Sequence, residues 1–292
     1  LTGQTFVNTR SALLKLFPIN TRQGQVEYFE ACQQAATILE GLLTKYRSPK
    51  ITSYNWITLQ LAYLIHHRNQ TTVLAQYKQH FDQHYLYENL MGLTNAFYKN
   101  CWPDAANKRI TTKHYSSPVS KDTFQRAWSE SGASSTEKAA SKRSVVYGHR
   151  AVLLFIDNLR TNVKFNIEHL NSVANLNNLK VAAEGTEAPW LVEGDKIKGL
   201  NHPGNLAILP EGLNKKKGAM NLFSYLSKQA DATNDGRSEP NLDKDIDQKY
   251  SLLTTREALR NAEMSHSAFL RFCEDRWERL LMQTMETLPP LA

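Results

Sequence analysis

Cysteine is scarce in this chain, and what there is forms no framework. Cys32, Cys101 and Cys273 lie far apart, make no CxxC pair, and would leave one over if two were bridged. A reducing cytoplasm is the natural setting for such a pattern. Long apolar runs are missing too: none reaches the length of a membrane span, and the opening Leu1-Thr2-Gly3-Gln4 lacks the basic-then-apolar order of a signal peptide. The expectation is a soluble protein with no membrane partner. No internal repeat is evident. Because Leu1 rather than Met stands first, the chain is also expected to be a fragment of something longer.

What is present suffices for a sizeable core, since 292 residues can make two domains of ordinary size without staples. The formal net charge is +7 and is unevenly spread, with 19 basic against 10 acidic residues in 1–160 and 16 against 18 in 161–292. A basic surplus favours a polyanion through counterion release, although proteins that never touch nucleic acid carry such surpluses as well.

Residues 21–160 read as a helical bundle. Phe29, Cys32, Ala36, Leu39 and Leu43 recur at three- and four-residue steps, which predicts an apolar core stripe on one helix. Further helices are expected at 54–68, 71–98, 121–130 and 143–160, broken at Ser48-Pro49, Trp102-Pro103 and Ser117-Pro118. The small polar stretch Ser129 to Thr136 reads as a mobile loop. His66-His67, and His80 with His84 at i, i+4, have no third ligand near in sequence and are expected on helix surfaces.

From 161 the pattern changes. Val163, Phe165 and Ile167 alternate with Lys164, Asn166 and Glu168 as in a half-buried strand, and Leu206-Ala207-Ile208-Leu209 suits a second strand. Ala219, Leu222, Phe223 and Leu226 then predict an amphipathic helix to about Lys228. Residues 229–250 read as an acidic loop. Its Asp243-x-Asp245-x-Asp247 imitates the opening of a calcium loop, but Gln248 and Thr254 stand where glycine and glutamate are needed, which excludes that reading. A final helix is expected through Phe269, Phe272, Trp277, Leu280 and Leu281. The fold class is therefore mainly α with a small α+β element, divided into a basic helical region, 1–160, suited to holding DNA, and a second region, 161–292.

The strand–strand–helix segment gathers the groups that phosphodiester hydrolysis requires: a base for water, a site for a cation, and a group that orients the base. His169 can be the base, because imidazole titrates near neutrality. Glu168 and Asn214 offer oxygen ligands to a hard cation, Asn205 can hold the His169 loop through its amide, and Lys215, Lys216 and Lys217 bring positive charge. That lysine run is expected to open a helix, where the dipole disfavours cations, so it fits either a solvated surface or an anionic partner.

Here the sequence resembles the HNH, or ββα-metal, nucleases, and most closely the carboxy-terminal domain of GmrSD-type modification-dependent restriction endonucleases. The likeness rests on Glu168-His169, Gly204-Asn205-Leu206, Asn214, Lys217, and Asn221-Leu222-Phe223 followed by Lys228, and covers about 163–228. The resemblance implies a ββα-metal core in 161–292, a DNA endonuclease of a bacterial restriction and antiviral-defence system, and nicking of double-stranded DNA with magnesium, or manganese in its place. It assigns His169 as general base, Asn205 as the residue that orients it, and Glu168 and Asn214 as metal ligands. DNA contacts would come from Lys215, Lys216, Lys217 and Lys228. It also implies a missing amino-terminal nucleotide-hydrolysing sensor domain of the same chain; a related group senses backbone phosphorothioation, as SspE does. Two departures stand out: Ser172 occupies a position usually held by proline and is expected to loosen the His169 loop, and the excursion 171–203, with Trp190, is long enough for a surface hairpin, a DNA-contacting insertion or a plain spacer. His202 is the most credible additional site residue, and His149-Arg150 is a further candidate. The competing readings are a catalytically inactive nucleic-acid-binding or adaptor module that keeps the ββα shape, and a helical scaffold whose motif match is accidental.

Overall fold

The computed structural model describes residues 19–46, 54–91, 115–137, 151–156, 164–172, 175–177, 179, 190, 192–193, 196–217, 220, 222–232 and 239–292. His149-Arg150 and Cys101 lie outside them. The chain divides into two compact units, one of Leu1–Glu88, Gly92–Lys121 and Leu288–Ala292, the other of Asn89–Met91 and Asp122–Thr287. Among the described residues it is mainly helical with two small antiparallel strand pairs, as the sequence predicts for its class. No described helix is long and apolar enough to cross a membrane.

In the first unit, α1 (Arg22–Leu43) starts at Thr21, whose hydroxyl accepts the Gly24 N–H at 3.0 Å and so satisfies a donor the helix cannot. Its buried line is Ala31, Ala35 and Leu39. This corrects the expected stripe: Phe29 is 70% exposed and only Leu39 of the stripe is buried. Alanines at four-residue spacing leave room for a neighbouring backbone, and α1 packs against α2 (Tyr54–His66). Aromatic contacts tie α2 to α3 (Thr71–Leu90), with Tyr63 and Tyr77 stacked at 5.3 Å and Trp56 edge-on to Phe81 at 6.3 Å. Glu88 gathers two of the polar groups buried there: the Trp56 indole N–H and the Tyr115 hydroxyl donate to it at 2.6 and 3.1 Å. His67, His80 and His84 are buried, not on the surface as expected. Burial pulls His67 and His80 below the usual imidazole range, and His84 Nε2 lies 2.8 Å from the Ser117 carbonyl oxygen.

In the second unit α4 (Lys121–Glu137) runs straight through the Ser129–Thr136 stretch expected as a loop. Phe124, Ala127 and Trp128 give it a buried face, and Gly132 extends that face because a Cβ there would stand 2.8 Å from Trp277 Cδ1. β1 (Phe165–His169) pairs antiparallel with the later strand Leu206–Pro210, from Phe165 opposite Pro210 to His169 opposite Leu206. Between them, within the long excursion, β2 (Val192–Glu193) and β3 (Lys196–Ile197) form a small hairpin. Trp190 beside it is buried against His266 and Phe269, at ring distances of 5.5 and 5.9 Å, so this part of the excursion feeds the core.

A 3-10 turn, Pro203–Asn205, leads into β4 (Leu206–Pro210), which continues directly into α5 (Glu211–Lys217). Then follow α6 (Leu222–Ala232), α7 (Glu239–Tyr250), α8 (Arg256–Ala262) and α9 (His266–Thr287). Helices α6 and α7 correct the acidic-loop expectation over 229–232 and 239–250, and residues 233–238 lie outside the described ones. Ile246 and Tyr250, one turn apart, join the core that Leu170, Trp190, Leu209, Phe223 and Phe269 share.

Candidate active site

The site begins at the end of β1. Glu168 and His169 are the last two residues of that strand, and α5 packs against both β1 and β4. Glu168 and His169 are both half-buried, and both sense one cation: the Lys217 ammonium lowers the pKa of His169, after burial has lowered it more, and Glu168 in turn supports the charge on Lys217. Neighbouring strand residues ordinarily point to opposite faces, so these two side chains meet the field of Lys217 from different sides of β1.

Lys217 is not placed as its neighbours are. Lys215 and Lys216 are exposed, and Lys215 pairs with Glu211 at 2.7 Å across one helical turn. Lys217 is only 2% exposed, its Nζ donates to the Met220 carbonyl at 3.3 Å, and burial pulls its pKa below the usual range. Its charge therefore lies inside the fold and not on the exposed surface of α5. The run also lies in the last turn of α5, which corrects its expected place at a helix start and puts the lysines at the end where the dipole favours cations. Asn214, expected just before the helix, falls within α5; its side chain lies outside the described ones. Lys228 is exposed on α6.

Asn205 is fully buried and braces the site. Its Oδ1 accepts the Asn171 N–H at 2.9 Å, and its Nδ2 donates to the Leu200 carbonyl at 3.0 Å and, at 3.4 Å, to that of Asn171. The Leu170 N–H donates to the Asn205 carbonyl at 2.8 Å. Its side chain thus grips the backbone on either side of the site and leaves the His169 ring to another residue. That residue is Asn201, whose Oδ1 lies 2.7 Å from His169 Nε2. No motif marks Asn201; its nearness to Asn205 in sequence was the available signal.

Ser172 does not loosen the loop. It is buried, its hydroxyl accepts the Asn175 N–H at 3.2 Å and its carbonyl the Leu176 N–H at 3.0 Å, so it opens a helical turn in place of a proline. His202 is structural in its contacts: Nδ1 accepts the Gly204 N–H at 3.0 Å, and burial, then the Arg276 guanidinium, push the ring down to about 4. Arg276 itself is buried on α9 and donates to the carbonyls of Leu252, Gly204 and Leu206, the last two at 2.9 and 2.8 Å. It clasps the turn that carries Asn205. Gly204 permits this closeness, because a Cβ there would lie 1.8 Å from the Cys273 carbonyl oxygen.

Magnesium commonly takes one or two carboxylates and fills its remaining positions with water and phosphate oxygens. A half-buried Glu168 beside an α5 that carries Asn214 fits that donor chemistry. Among the described residues no group of three or more His, Cys, Asp or Glu could hold a metal. Compared with protein-family models, curated proteins and solved structures, the chain matches none.

Proposed function

We propose that this chain is a magnesium-dependent DNA endonuclease of the HNH, or ββα-metal, type that nicks one strand at a time. The observation that carries the reading is the antiparallel β1–β4 pair, with Glu168 and His169 at its end, running without a break into α5 and its Asn214 and Lys217. In this reading the His169 imidazole takes a proton from water, the water oxygen bonds to phosphorus, and the bond from phosphorus to the leaving oxygen breaks. Magnesium, held by Glu168 and Asn214, would supply charge stabilisation at the phosphate and the leaving oxygen. Asn205 keeps the two loops of the site in register, and Lys217 adds buried positive charge where the anion must sit. Exposed Lys215, Lys216 and Lys228, with the basic surplus of 1–160, would hold the backbone of double-stranded DNA and read little sequence. A place in a bacterial restriction and antiviral-defence system, in the cytoplasm and joined to a nucleotide-hydrolysing sensor domain, follows from the resemblance alone.

Relaxation of supercoiled plasmid in magnesium tests the reading. Loss of nicking in His169→Ala supports it, and equal rates in parent and variant refute it. One observation favours a second reading, an inactive nucleic-acid-binding module: the buried Lys217 ammonium near Glu168 can balance that carboxylate without a metal. DNA binding that persists in EDTA, with no cleavage in magnesium or manganese, would establish that alternative.

A further inference from the structure

The hydrogen bond between His169 and Asn201 carries information about the proton on the ring. An amide oxygen only accepts, so with Asn201 Oδ1 at 2.7 Å the Nε2 it faces must donate. A neutral imidazole with its proton on Nε2 has its lone pair on Nδ1. No hydrogen bond reaches Nδ1 among the described residues.

The acceptor is built into the fold. Asn205 anchors both ends of the bond, gripping the Leu200 carbonyl immediately before Asn201 and the Asn171 N–H two residues after His169. On the other side of Asn201, the His202 N–H donates to the Gly199 carbonyl at 2.8 Å, and the His202 ring accepts the Gly204 N–H. Gly199 opens this turn at φ +75°, where a side chain would be strained and a Cβ would come 2.4 Å from Leu270 Cδ2. A surface amide would exchange such a bond for water, whereas this one is presented from a turn fixed on both sides.

We infer that Asn201 is the positioning residue of the site, holding the His169 proton on Nε2 and so presenting Nδ1 as the atom that receives the proton from water. The role of Nδ1 rests on the nuclease reading; the tautomer does not. Asn201 acts through His169 and touches no reacting atom.

The test uses the full chain labelled with 15N-histidine, observed in two-bond 1H–15N spectra above neutral pH without metal, with His169 assigned from its loss in His169→Gln. The parent should show Nε2 at the shift of a protonated nitrogen and Nδ1 at that of a bare one. Asn201→Leu should draw the two shifts together as the ring and its tautomers exchange, and Asn201→Asp, which keeps an acceptor, should separate them again. In plasmid nicking, Asn201→Leu should lower kcat by about 10-fold or more with little change in KM, as is usual when the partner that orients a histidine is lost. A proton on Nδ1 in the parent, or an unchanged His169 signature in Asn201→Leu, overturns the inference. The parent spectrum decides alone if Asn201→Leu does not fold. A parent that fails to nick while its spectrum comes out as expected overturns the nuclease reading and leaves the tautomer assignment standing.

Discussion

The indoles of Trp128 and Trp277 stack with centroids 4.0 Å apart and planes 18° from parallel, and each ring N–H donates to the other residue's backbone carbonyl, at 3.0 and 3.1 Å. This reciprocal pair joins α4 to α9. Both rings bury their surface and satisfy their polar atoms within the pair. Trp277→Ala should therefore destabilise the second unit by about 3–5 kcal/mol, through lost burial and an unfilled cavity. Gly132→Val should cost about 1–3 kcal/mol by pressing a branched side chain onto the Trp277 ring. Urea unfolding followed by circular dichroism reads both, and an unchanged midpoint in Trp277→Ala would show that the pair contributes nothing.

Acid should weaken the fold through His202. Its folded pKa, about 4, lies below the value of about 6.5 in an unfolded chain, so the native state binds fewer protons between the two. Stability is full above the unfolded value and falls as pH drops toward 4, by about 3 kcal/mol for this one group. His202→Asn, which keeps an acceptor near Gly204, should flatten this part of the curve. Parallel stability–pH profiles for parent and variant would count against the assignment.

Removing the Asn205 amide leaves the Asn171 N–H and the Leu200 carbonyl buried and unpaired, a loss of about 1–3 kcal/mol for each group. Asn205→Ala should speed amide hydrogen exchange at Asn171 and lower plasmid nicking by about 10- to 100-fold. Nicking at the parental rate, with Asn171 exposed to exchange, would separate the brace from the chemistry.

Lys217→Met takes away an ammonium that, after burial, holds the His169 pKa down, while Glu168 remains. The His169 titration midpoint should rise in the variant. For a base that works unprotonated, the acid side of the nicking profile should move to higher pH as well. NMR titration of the ring checks the first outcome directly, and a midpoint that stays or falls would contradict the placement of Lys217.

How far the sequence carries can be judged element by element. The strand signals at 163–169 and 206–209 rest on alternation and on a short apolar run, both local properties, and the strands lie where those patterns put them. Helix α4 was missed beyond Glu130 because Gly132 and the serines look like a loop until Trp277 is laid against them. Helix α7 hid behind its acidic surface, since among its described side chains Ile246 and Tyr250 alone mark the buried side. At the site, Glu168, His169, Asn205 and Asn214 could be named from spacing and resemblance, whereas Asn201 and the burial of Lys217 depend on where the chain returns, which no local pattern encodes. The α1 stripe failed for a similar reason: periodicity cannot tell which of two neighbouring faces a partner helix will cover.

Arg276 and Gly204 meet across 72 residues of sequence, and the turn that holds Asn205 and Asn201 in place rests on that meeting. A growing chain that has produced β1, β4 and α5 already contains Glu168, His169, Asn201, Asn205 and Lys217, but it has no α9 to clasp the turn. Closing so long a loop is slow compared with forming the strands and short helices. The order of synthesis thus imposes a delay: the turn that carries Asn201 and Asn205 stays unclasped until α9 has been made and has docked.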